Sequence, residues 1–354
     1  MFYRLVLSFL TAFIFTYLII PSIINIAKFK MLTEEPSERK VHKRSIPTLG
    51  GIGIFAGVLF SIVLWTPFNV FGDLQYILCA FIIIFLMGAK DDIIPLTPYK
   101  KMLGLVFASC ILIFKANIRI TSFYGIFYVD ELPYIISVLI SLFTILVIVN
   151  AFNLIDGINA LSGSLGILIA TAYGSWFYMA DQVVLSIISF ALVGSLIAFL
   201  KFNLTPAKIF MGDTGSLLIG LICAILTISF IELAYRSPNP LYQIIAAPAV
   251  AIGILFLPLF DMLRVFFVRL FSGRSPFHPD RQHIHHLMVD AGLNHLQATC
   301  VLIGLNAVVM LIVVKAQAIG NLLLLVFIVS FGLVLTAVLL YMKKSKSQLT
   351  NDTL

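Results

Sequence analysis

Residues 81–92 read FIIIFLMGAKDD, and this stretch decides the class of fold. An apolar run long enough to lie deep in a bilayer ends in two adjacent carboxylates, Asp91 and Asp92. Adjacent like charges repel each other, and the low dielectric beside a hydrocarbon phase strengthens the repulsion. Such a pair is tolerated where headgroup water solvates it, or where a proton or a cation offsets it. The stretch therefore predicts a membrane helix that ends in an acidic pair at one membrane face.

The composition of the whole chain also indicates a membrane protein. Of its 354 residues, 61% are hydrophobic and 11% are charged, and the mean hydropathy is +1.08. A soluble domain carries about 25% charged residues, so we expect a polytopic membrane protein. The apolar N-terminal run is too long for a signal peptide and lacks a small-residue cleavage site, so it is expected to be the first span. All four cysteines fall inside apolar segments, which predicts small buried side chains rather than disulfides.

Eleven apolar segments approach the length of a bilayer-crossing helix, about 20 residues. They cover 3–27, 49–66, 74–89, 102–118, 132–151, 161–180, 183–200, 212–234, 241–263, 298–316 and 321–342. We therefore predict a single all-α integral membrane domain over 1–354 with about eleven transmembrane helices.

The distribution of lysine and arginine predicts the orientation of these helices. Of the 23 such residues, 18 fall in the C-terminal tail or in or beside five loops, at 28–48, 90–101, 152–160, 201–211 and 264–297. The positive-inside rule makes that face cytoplasmic, with the N-terminus outside and the C-terminus inside. No soluble basic domain exists to carry nucleic acid, so nucleic acid binding is not expected.

The first two of these loops combine cations with turn residues. Arg44 belongs to a polybasic stretch that leads into Thr48 and a pair of glycines, which is typical either of a topology signal or of a phosphate clamp. The second loop holds Asp91 and Asp92 near Lys101, joined by a proline-shaped turn. Carboxylates that bind a metal, with a lysine nearby, are the parts needed to hold a diphosphate.

In the third loop, Asn150, Asn153 and Asp156 follow one another at intervals of three residues. This spacing places all three on one face of a helix. A turn at Asp156–Gly157 explains the aspartate alone. It does not explain two amides at membrane depth, which are costly without partners, so we favour a functional role.

In the fourth loop, Asp213 stands near glycines at a predicted helix start. Backbone N–H groups there can hold a phosphate while the carboxylate binds Mg²⁺. A plain helix N-cap is the alternative interpretation.

The fifth loop is rich in histidine, with five of the six histidines in it or just beyond it. A zinc site would need further ligands, and Asp280 is the only nearby carboxylate that completes a set. With Arg281 alongside, contact with phosphate oxygens is at least as good a use of these side chains.

Taken together, these motifs resemble those of the bacterial polyprenyl-phosphate N-acetylhexosamine-1-phosphate transferases. The motifs are Asp91-Asp92, Asn150-x-x-Asn153-x-x-Asp156-Gly157, Phe210-Met211-Gly212-Asp213-Thr214-Gly215-Ser216 and Arg281-x-His283-x-His285-His286. The resemblance extends from about Arg39 to His286. The histidine motif is similar to that of the branch that starts O-antigen, enterobacterial common antigen or teichoic acid. The muramoyl-pentapeptide branch typically has three consecutive histidines and ten spans.

The resemblance implies a reaction, its partners and a location. Sugar-1-phosphate moves from a UDP-N-acetylhexosamine, most readily UDP-N-acetylglucosamine, to undecaprenyl phosphate, and UMP is released. The family uses Mg²⁺, with Mn²⁺ as an alternative, in the bacterial cytoplasmic (inner) membrane with the active site on the cytoplasmic face. A homodimer is left open.

The resemblance also implies roles for individual residues. Asp91 would act on the lipid phosphate as base or anchor, and Asp213 would bind the metal with support from Asp92 and Asp156. Residues implied in substrate binding are Arg44, Thr48, Lys101, Asn150, Asn153, Asn159, Asn203, Phe210 and Arg281, with Asn203 and Phe210 at the nucleoside and Arg281 at the diphosphate. His283, His285 and His286 would also hold the diphosphate during catalysis.

Two positions depart from the family pattern, and three other functions compete with it. The family usually has Asp where Asn159 stands and Gly where Ala160 stands, which leaves a contact at Asn159 open. A transporter would have polar residues distributed along its membrane spans, whereas here the polar residues lie at one membrane face. A lipid-binding scaffold has no use for the acidic pair together with the Gly-Asp-Thr-Gly-Ser turn. A muramoyl-pentapeptide transferase is the alternative within the family.

Overall fold

The computed structural model describes residues 2–32, 46–124, 126, 131–237, 239–273 and 282–351, with side chains up to 345. Every regular element within these residues is helical. The α-helices are α1 (Phe2–Phe29), α2 (Gly50–Trp65), α3 (Leu74–Ile93), α4 (Pro98–Phe114), α5 (Tyr134–Ile155), α6 (Leu161–Met179), α7 (Val183–Asn203), α8 (Gly212–Tyr235), α9 (Ala247–Ile254), α10 (Phe256–Phe271), α11 (Ile284–Asp290), α12 (His295–Lys315) and α13 (Asn321–Asn351).

The chain is an all-helical polytopic membrane protein, as the composition predicts. In the described residues, six helices are long and apolar enough to cross a membrane: α1, α5, α7, α8, α12 and α13. A bent pair, α9 and α10, would make a seventh span. The prediction of about eleven spans therefore stays a prediction. Each predicted segment nevertheless coincides with a helix or a helix pair.

One predicted segment differs in form from the structure. The segment 241–263 is not one straight helix, because α9 begins at Ala247 and ends at Ile254, and α10 leaves it at an angle of 82°. Pro258 lies in the first turn of α10, where its missing N–H cannot continue the hydrogen bonding of α9.

Helix α8 lies at the centre of the bundle. Within the most apolar 18 residues of α8, 83% are buried. The helix contacts α2, α3, α5, α6 and α9. A helix that is apolar on all sides is expected to be surrounded by other helices in this way. Its position matters for function because Asp213 lies in its first turn.

The described parts of the five predicted loops meet at one end of this bundle. Phe210 donates its N–H to the Pro47 carbonyl at 2.8 Å and accepts from the Gly50 N–H at 2.9 Å, which joins the first loop to the fourth. Thr299, near the start of α12, donates to the carbonyl of Asn159 at 3.0 Å. These hydrogen bonds join the first loop to the fourth and α12 to the third.

Candidate active site

Two carboxylates from different helices share one lysine at the start of α8. The Lys101 ammonium lies 2.6 Å from Asp91 Oδ2 and 2.5 Å from Asp213 Oδ2. The Leu96 N–H donates to the other oxygen of Asp91 at 2.6 Å. The side chain of Asp91 is 9% exposed and that of Asp213 27%, so this charge cluster opens to solvent mainly beside Asp213 and Lys101. A cation therefore offsets the acidic end of α3, one of the conditions that the sequence suggests.

Asp92 has a different position from its neighbour and binds the N-terminus of α8. Its Oδ1 accepts the Asp213 N–H at 2.7 Å, and its Oδ2 accepts the N–H and the hydroxyl of Thr214 at 3.1 and 2.5 Å. The first N–H groups of a helix have no partner within the helix, and a negative charge there also complements the helix dipole. Asp92 thus fixes the backbone that carries Asp213. Its predicted role as a metal ligand stays a prediction.

The turn before Asp213 requires glycine at position 212. Gly212 has φ +73°, a left-handed conformation that side chains rarely adopt. A Cβ there would lie 2.7 Å from both Asp92 carboxylate oxygens and would strike the Thr48 carbonyl oxygen. The glycine therefore lets the capping carboxylate and the first loop approach Asp213 together.

Helix α5 carries two asparagines, one of which contacts Asp213. Asn153 Nδ2 donates to Asp213 Oδ1 at 3.1 Å and to the Ser216 hydroxyl at 3.0 Å. Asn150 lies one turn earlier and donates to the Leu146 carbonyl of its own helix at 2.7 Å. The structure thus joins Asn153 to Asp213, whereas the amide nitrogen of Asn150 is used within α5.

Asp156 follows the last residue of α5 and accepts the hydroxyl hydrogen of Ser162 at 2.5 Å. Asp156 is half-buried as a residue, and its carboxyl group is closely surrounded by protein atoms. The resulting desolvation raises the pKa of Asp156 to about 7, and it outweighs the hydrogen bond from Ser162. The negative charges of Asp213 and Asp92 raise the pKa further. Asp156 is therefore a more basic carboxyl group than a solvent-exposed aspartate.

Two buried asparagines connect the third and fourth loops. Asn203 accepts the Ala160 N–H at 2.7 Å and donates to the Ile209 carbonyl at 2.9 Å. Asn159 donates to the Thr205 hydroxyl at 3.2 Å. These contacts hold the loops together, and the implied nucleoside contacts of both side chains stay predictions. Ala160 has φ +67°, which gives a physical reason for glycine at this position in the family.

Asp261 of α10 organises the histidine segment. His283 Nδ1 lies 2.9 Å from Asp261 Oδ2, and the Ile284 N–H donates to Asp261 Oδ1 at 2.8 Å. His285 Nδ1 lies 3.9 Å from the same carboxylate. Asp261 is absent from the residues predicted for the site. The sequence feature that points to Asp261 is its position as a single carboxylate inside an apolar segment, because such a carboxylate is unfavourable without a partner.

His285 is buried with neither ring nitrogen hydrogen-bonded to any residue that the structure describes. Its side chain is 1% exposed, and a Cβ on Gly157 would strike its Nε2. Burial lowers the pKa of His285 to about 3, although the nearby charge of Asp261 acts in the opposite direction. The ring is therefore neutral at neutral pH and keeps one N–H donor. A buried N–H donor without a partner is unfavourable, so a polar acceptor beside the third loop would stabilise this ring.

The remaining predicted residues fall into two groups. His286 is half-buried with its ring 4.3 Å from that of His285, and Thr48 and Phe210 are half-buried beside the start of α8. Arg44 and Arg281 lie outside the described residues.

The chemistry of the cluster fits a hard divalent cation. Asp91, Asp213 and Asn153 offer oxygen atoms, and the ammonium of Lys101 marks the place between the carboxylates where positive charge is favoured. Among the described residues, no three His, Cys, Asp or Glu side chains form a ready-made metal cage. Mg²⁺ typically uses one or two carboxylates and completes its shell with water and substrate phosphates, and the prediction of Mg²⁺ stays a prediction.

Comparison with known proteins gives close relatives in several bacteria. The profile of Glycosyl transferase family 4 matches residues 74–231. Undecaprenyl-phosphate alpha-N-acetylglucosaminyl 1-phosphate transferase of Escherichia coli (strain K12) is 32% identical over 305 residues, which covers 82% of this chain and 77% of the relative. The probable undecaprenyl-phosphate N-acetylglucosaminyl 1-phosphate transferase of Bacillus subtilis (strain 168) is 31% identical over 333 residues, covering 92% and 89%.

Proposed function

The chain belongs to glycosyl transferase family 4, and we propose that it transfers N-acetylglucosamine-1-phosphate from UDP-N-acetylglucosamine to undecaprenyl phosphate, with release of UMP. The names of the relatives support the acceptor and the sugar. The observation that carries the proposal is the cluster of Asp91, Lys101 and Asp213, which Asn153 joins through its amide. This cluster combines a cation for phosphate with carboxylates for a metal.

The chemical problem is that both reactants are anions. An oxygen of the lipid phosphate attacks the phosphorus that carries the sugar, the bond from that phosphorus to the UMP oxygen breaks, and UMP leaves with the electron pair. Charge neutralisation and positioning therefore dominate the barrier. A phosphate monoester already carries about −1.5 to −2 charges at neutral pH, so the attacking group needs no strong base. We accordingly assign Asp91 as an anchor that orients Lys101 toward the phosphate.

The other residues of the cluster position the donor. Asp92 fixes the first turn of α8, so that Asp213 faces Lys101. The neutral His285 has an N–H donor for a diphosphate oxygen near Gly157. When bound, Mg²⁺ or Mn²⁺ would be held by Asp213 and Asp91 and would supply a further positive charge at the diphosphate oxygens.

We further propose that this end of the bundle faces the cytoplasm of a bacterial inner membrane and that about eleven helices cross it. The support is the lysine and arginine bias, with 18 of 23 such residues at this face. UDP-sugars are cytosolic metabolites, so the proposed donor requires this orientation.

The test uses the purified chain in lipid nanodiscs with undecaprenyl phosphate, Mg²⁺ and a set of UDP-N-acetylhexosamines, scored for released UMP. Asp91→Asn and Asp213→Asn should each lower UMP release at least about a hundredfold, because the cluster loses a charged oxygen ligand. Asp73→Asn is the matched control, since Asp73 precedes the opposite end of α3. Near-wild-type release by both site variants in folded protein would contradict the assignment of the site.

The proposed contact of Arg281 with the diphosphate is tested in the same assay. Arg281→Ala should lower kcat/KM by roughly 30- to 150-fold, because it removes a charge-assisted contact worth about 2–3 kcal/mol. Lysine at this position should restore only part of the loss, since it lacks the two-pronged guanidinium.

Donor selectivity is a separate outcome of this assay. Turnover of the UDP-muramoyl-pentapeptide donor, without turnover of any simple UDP-N-acetylhexosamine, would place the chain in a different branch of the family with the same class of reaction.

A further inference from the structure

The bend between α9 and α10 leaves two backbone groups without helical partners. In a continuous helix the Ile254 carbonyl would accept from residue 258, but that residue is proline and has no N–H. The Leu257 N–H would donate to the Gly253 carbonyl, and the 82° bend prevents this. Both groups lie in a part of the chain where unpaired backbone groups are strongly unfavourable.

The side chain of Asn306 on α12 pairs both groups. Its Oδ1 accepts the Leu257 N–H at 2.8 Å, and its Nδ2 donates to the Ile254 carbonyl at 3.0 Å. Asn306 has no exposed surface. A carboxamide carries one donor group and one acceptor, as a peptide bond does, so the side chain replaces the missing backbone contacts. An apolar residue of similar size would leave both groups unpaired.

The direction of α10 determines where Asp261 lies. Pro258 and Asp261 are one helical turn apart, so the bend precedes Asp261 directly. Asp261, in turn, holds the His283 ring and the Ile284 N–H. The contacts of Asn306 therefore connect through α10 to the histidine segment at the candidate active site.

Helix α12 makes a second polar contact, with the third loop. Thr299 donates to the carbonyl of Asn159, and it stands seven residues before Asn306. A separation of seven residues places both side chains on the same face, two turns apart. One face of α12 thus joins the bend to the third loop, beside which His285 lies.

We propose that Asn306 is a positioning residue for the transfer reaction, which fixes the bend and thereby holds Asp261 and residues 283–286 against the Asp156–Gly157 turn. The kinetic part of this inference rests on the proposed function, whereas the structural part rests on the fold alone. Asp91 and Lys101, which are proposed to act at the lipid phosphate, lie on α3 and α4, and Asn306 makes its hydrogen bonds to neither helix. The effect is therefore expected on the donor side of the reaction.

The test combines hydrogen exchange and kinetics on the full chain in nanodiscs. Asn306→Leu should raise the exchange rates of residues 254–262 and 283–290 on the order of tenfold, while α3 keeps its wild-type rate. The KM for UDP-N-acetylglucosamine should rise on the order of tenfold, with the KM for undecaprenyl phosphate within about twofold of wild type. Asn306→Asp should show a smaller change in both readouts, because a fully buried carboxyl group is protonated and so keeps an acceptor for the Leu257 N–H and an O–H donor for the Ile254 carbonyl. Gly304→Ala is the control, since no atom lies within 4 Å of its Cβ position.

Each outcome decides the inference. Wild-type exchange in 254–262 and 283–290 for Asn306→Leu would overturn it, and so would an equal rise in α3, because that result means general destabilisation. If Asn306→Leu does not fold, the same comparison is made with Asn306→Asp. If the wild type releases no UMP from any donor, the proposed function fails, and the exchange measurement still decides the structural part.

Discussion

Replacement of Lys101 by methionine should raise the affinity for a divalent cation while lowering the rate of UMP release. Lys101 contacts both Asp91 and Asp213 through one nitrogen, at 2.6 and 2.5 Å. The two oxygens are thus at most about 5 Å apart, and at an effective dielectric constant of about 20 two unit charges at that distance repel by about 3 kcal/mol. Methionine keeps the length of the side chain but not its charge. The carboxylates must then be neutralised by another cation or by a proton.

The size of the expected gain in cation affinity follows from this repulsion between the two carboxylates. In the wild type, a divalent cation competes with the Lys101 ammonium for the two carboxylates. Removal of the ammonium should strengthen binding of the divalent cation by up to about 3 kcal/mol. Solvent beside the partly exposed Asp213 screens part of this energy, so we expect the affinity for the cation to rise about 10- to 100-fold. UMP release should fall roughly 30-fold or more, because the lipid phosphate loses a charge-assisted contact.

The assay titrates Mn²⁺ into purified protein without substrate and follows the electron paramagnetic resonance signal of free Mn²⁺. Lys100→Met is the matched control, because Lys100 is the exposed neighbour on the same turn of α4. It should leave Mn²⁺ affinity within about twofold of wild type. Equal or weaker Mn²⁺ binding by Lys101→Met would refute the reasoning, since the ammonium would then not occupy the place of the metal.

Three further predictions concern stability and topology. Asp92→Ala should lower the thermal unfolding midpoint in detergent more than Asp92→Asn, because asparagine keeps one acceptor for the N-terminus of α8; equal midpoints would contradict this capping role. The pKa of His285 falls from its usual 6.5 to about 3 in the folded chain, so this ring contributes stability that is lost as pH falls from about 6.5 toward 3. His285→Phe should flatten the midpoint curve over that interval, and parallel curves would show that the ring is not buried neutral. In a cysteine-free background, cysteines at Gly72 and Asn239 should label from outside, and a cysteine at Lys100 only after permeabilisation; external labelling at Lys100 would reverse the proposed orientation.

The helices follow from the sequence because a bilayer leaves few alternatives. Backbone groups in lipid must be paired within the helix, so an apolar segment of the right length predicts a helix with few exceptions. The bend at Leu255 is the exception here. Pro258 signals a missing donor, but the group that pairs with the Ile254 carbonyl at the bend is Asn306, 52 residues further along the chain. No local pattern contains that contact.

The site follows from the sequence only in part. The spacing predicts that Asn150, Asn153 and Asp156 share one face of a helix. In the structure α5 ends before Asp156, and Asn153 donates to Asp213, a contact that the spacing does not specify. Asp261 was missed because its partners come from residues 283 and 284, which follow it by more than twenty positions. Tertiary contacts of this length leave no periodic signal.

The two adjacent carboxylates at the end of α3 are chemically identical, but helix geometry gives them different partners. Successive residues of an α-helix point about 100° apart, so Asp91 and Asp92 face different neighbours. Asp91 meets the Lys101 ammonium, and Asp92 meets two N–H groups and a hydroxyl at the start of α8. Their mutual repulsion is therefore offset by two independent sources of positive charge, one from a side chain and one from a helix dipole. In the proposed reaction, a phosphate would compete with Asp91 for the lysine, whereas the N-terminus of α8 cannot leave Asp92 without moving Asp213. We therefore expect Asp91 to be the aspartate that takes part in the reaction and Asp92 to be the one that holds the first turn of α8 in place.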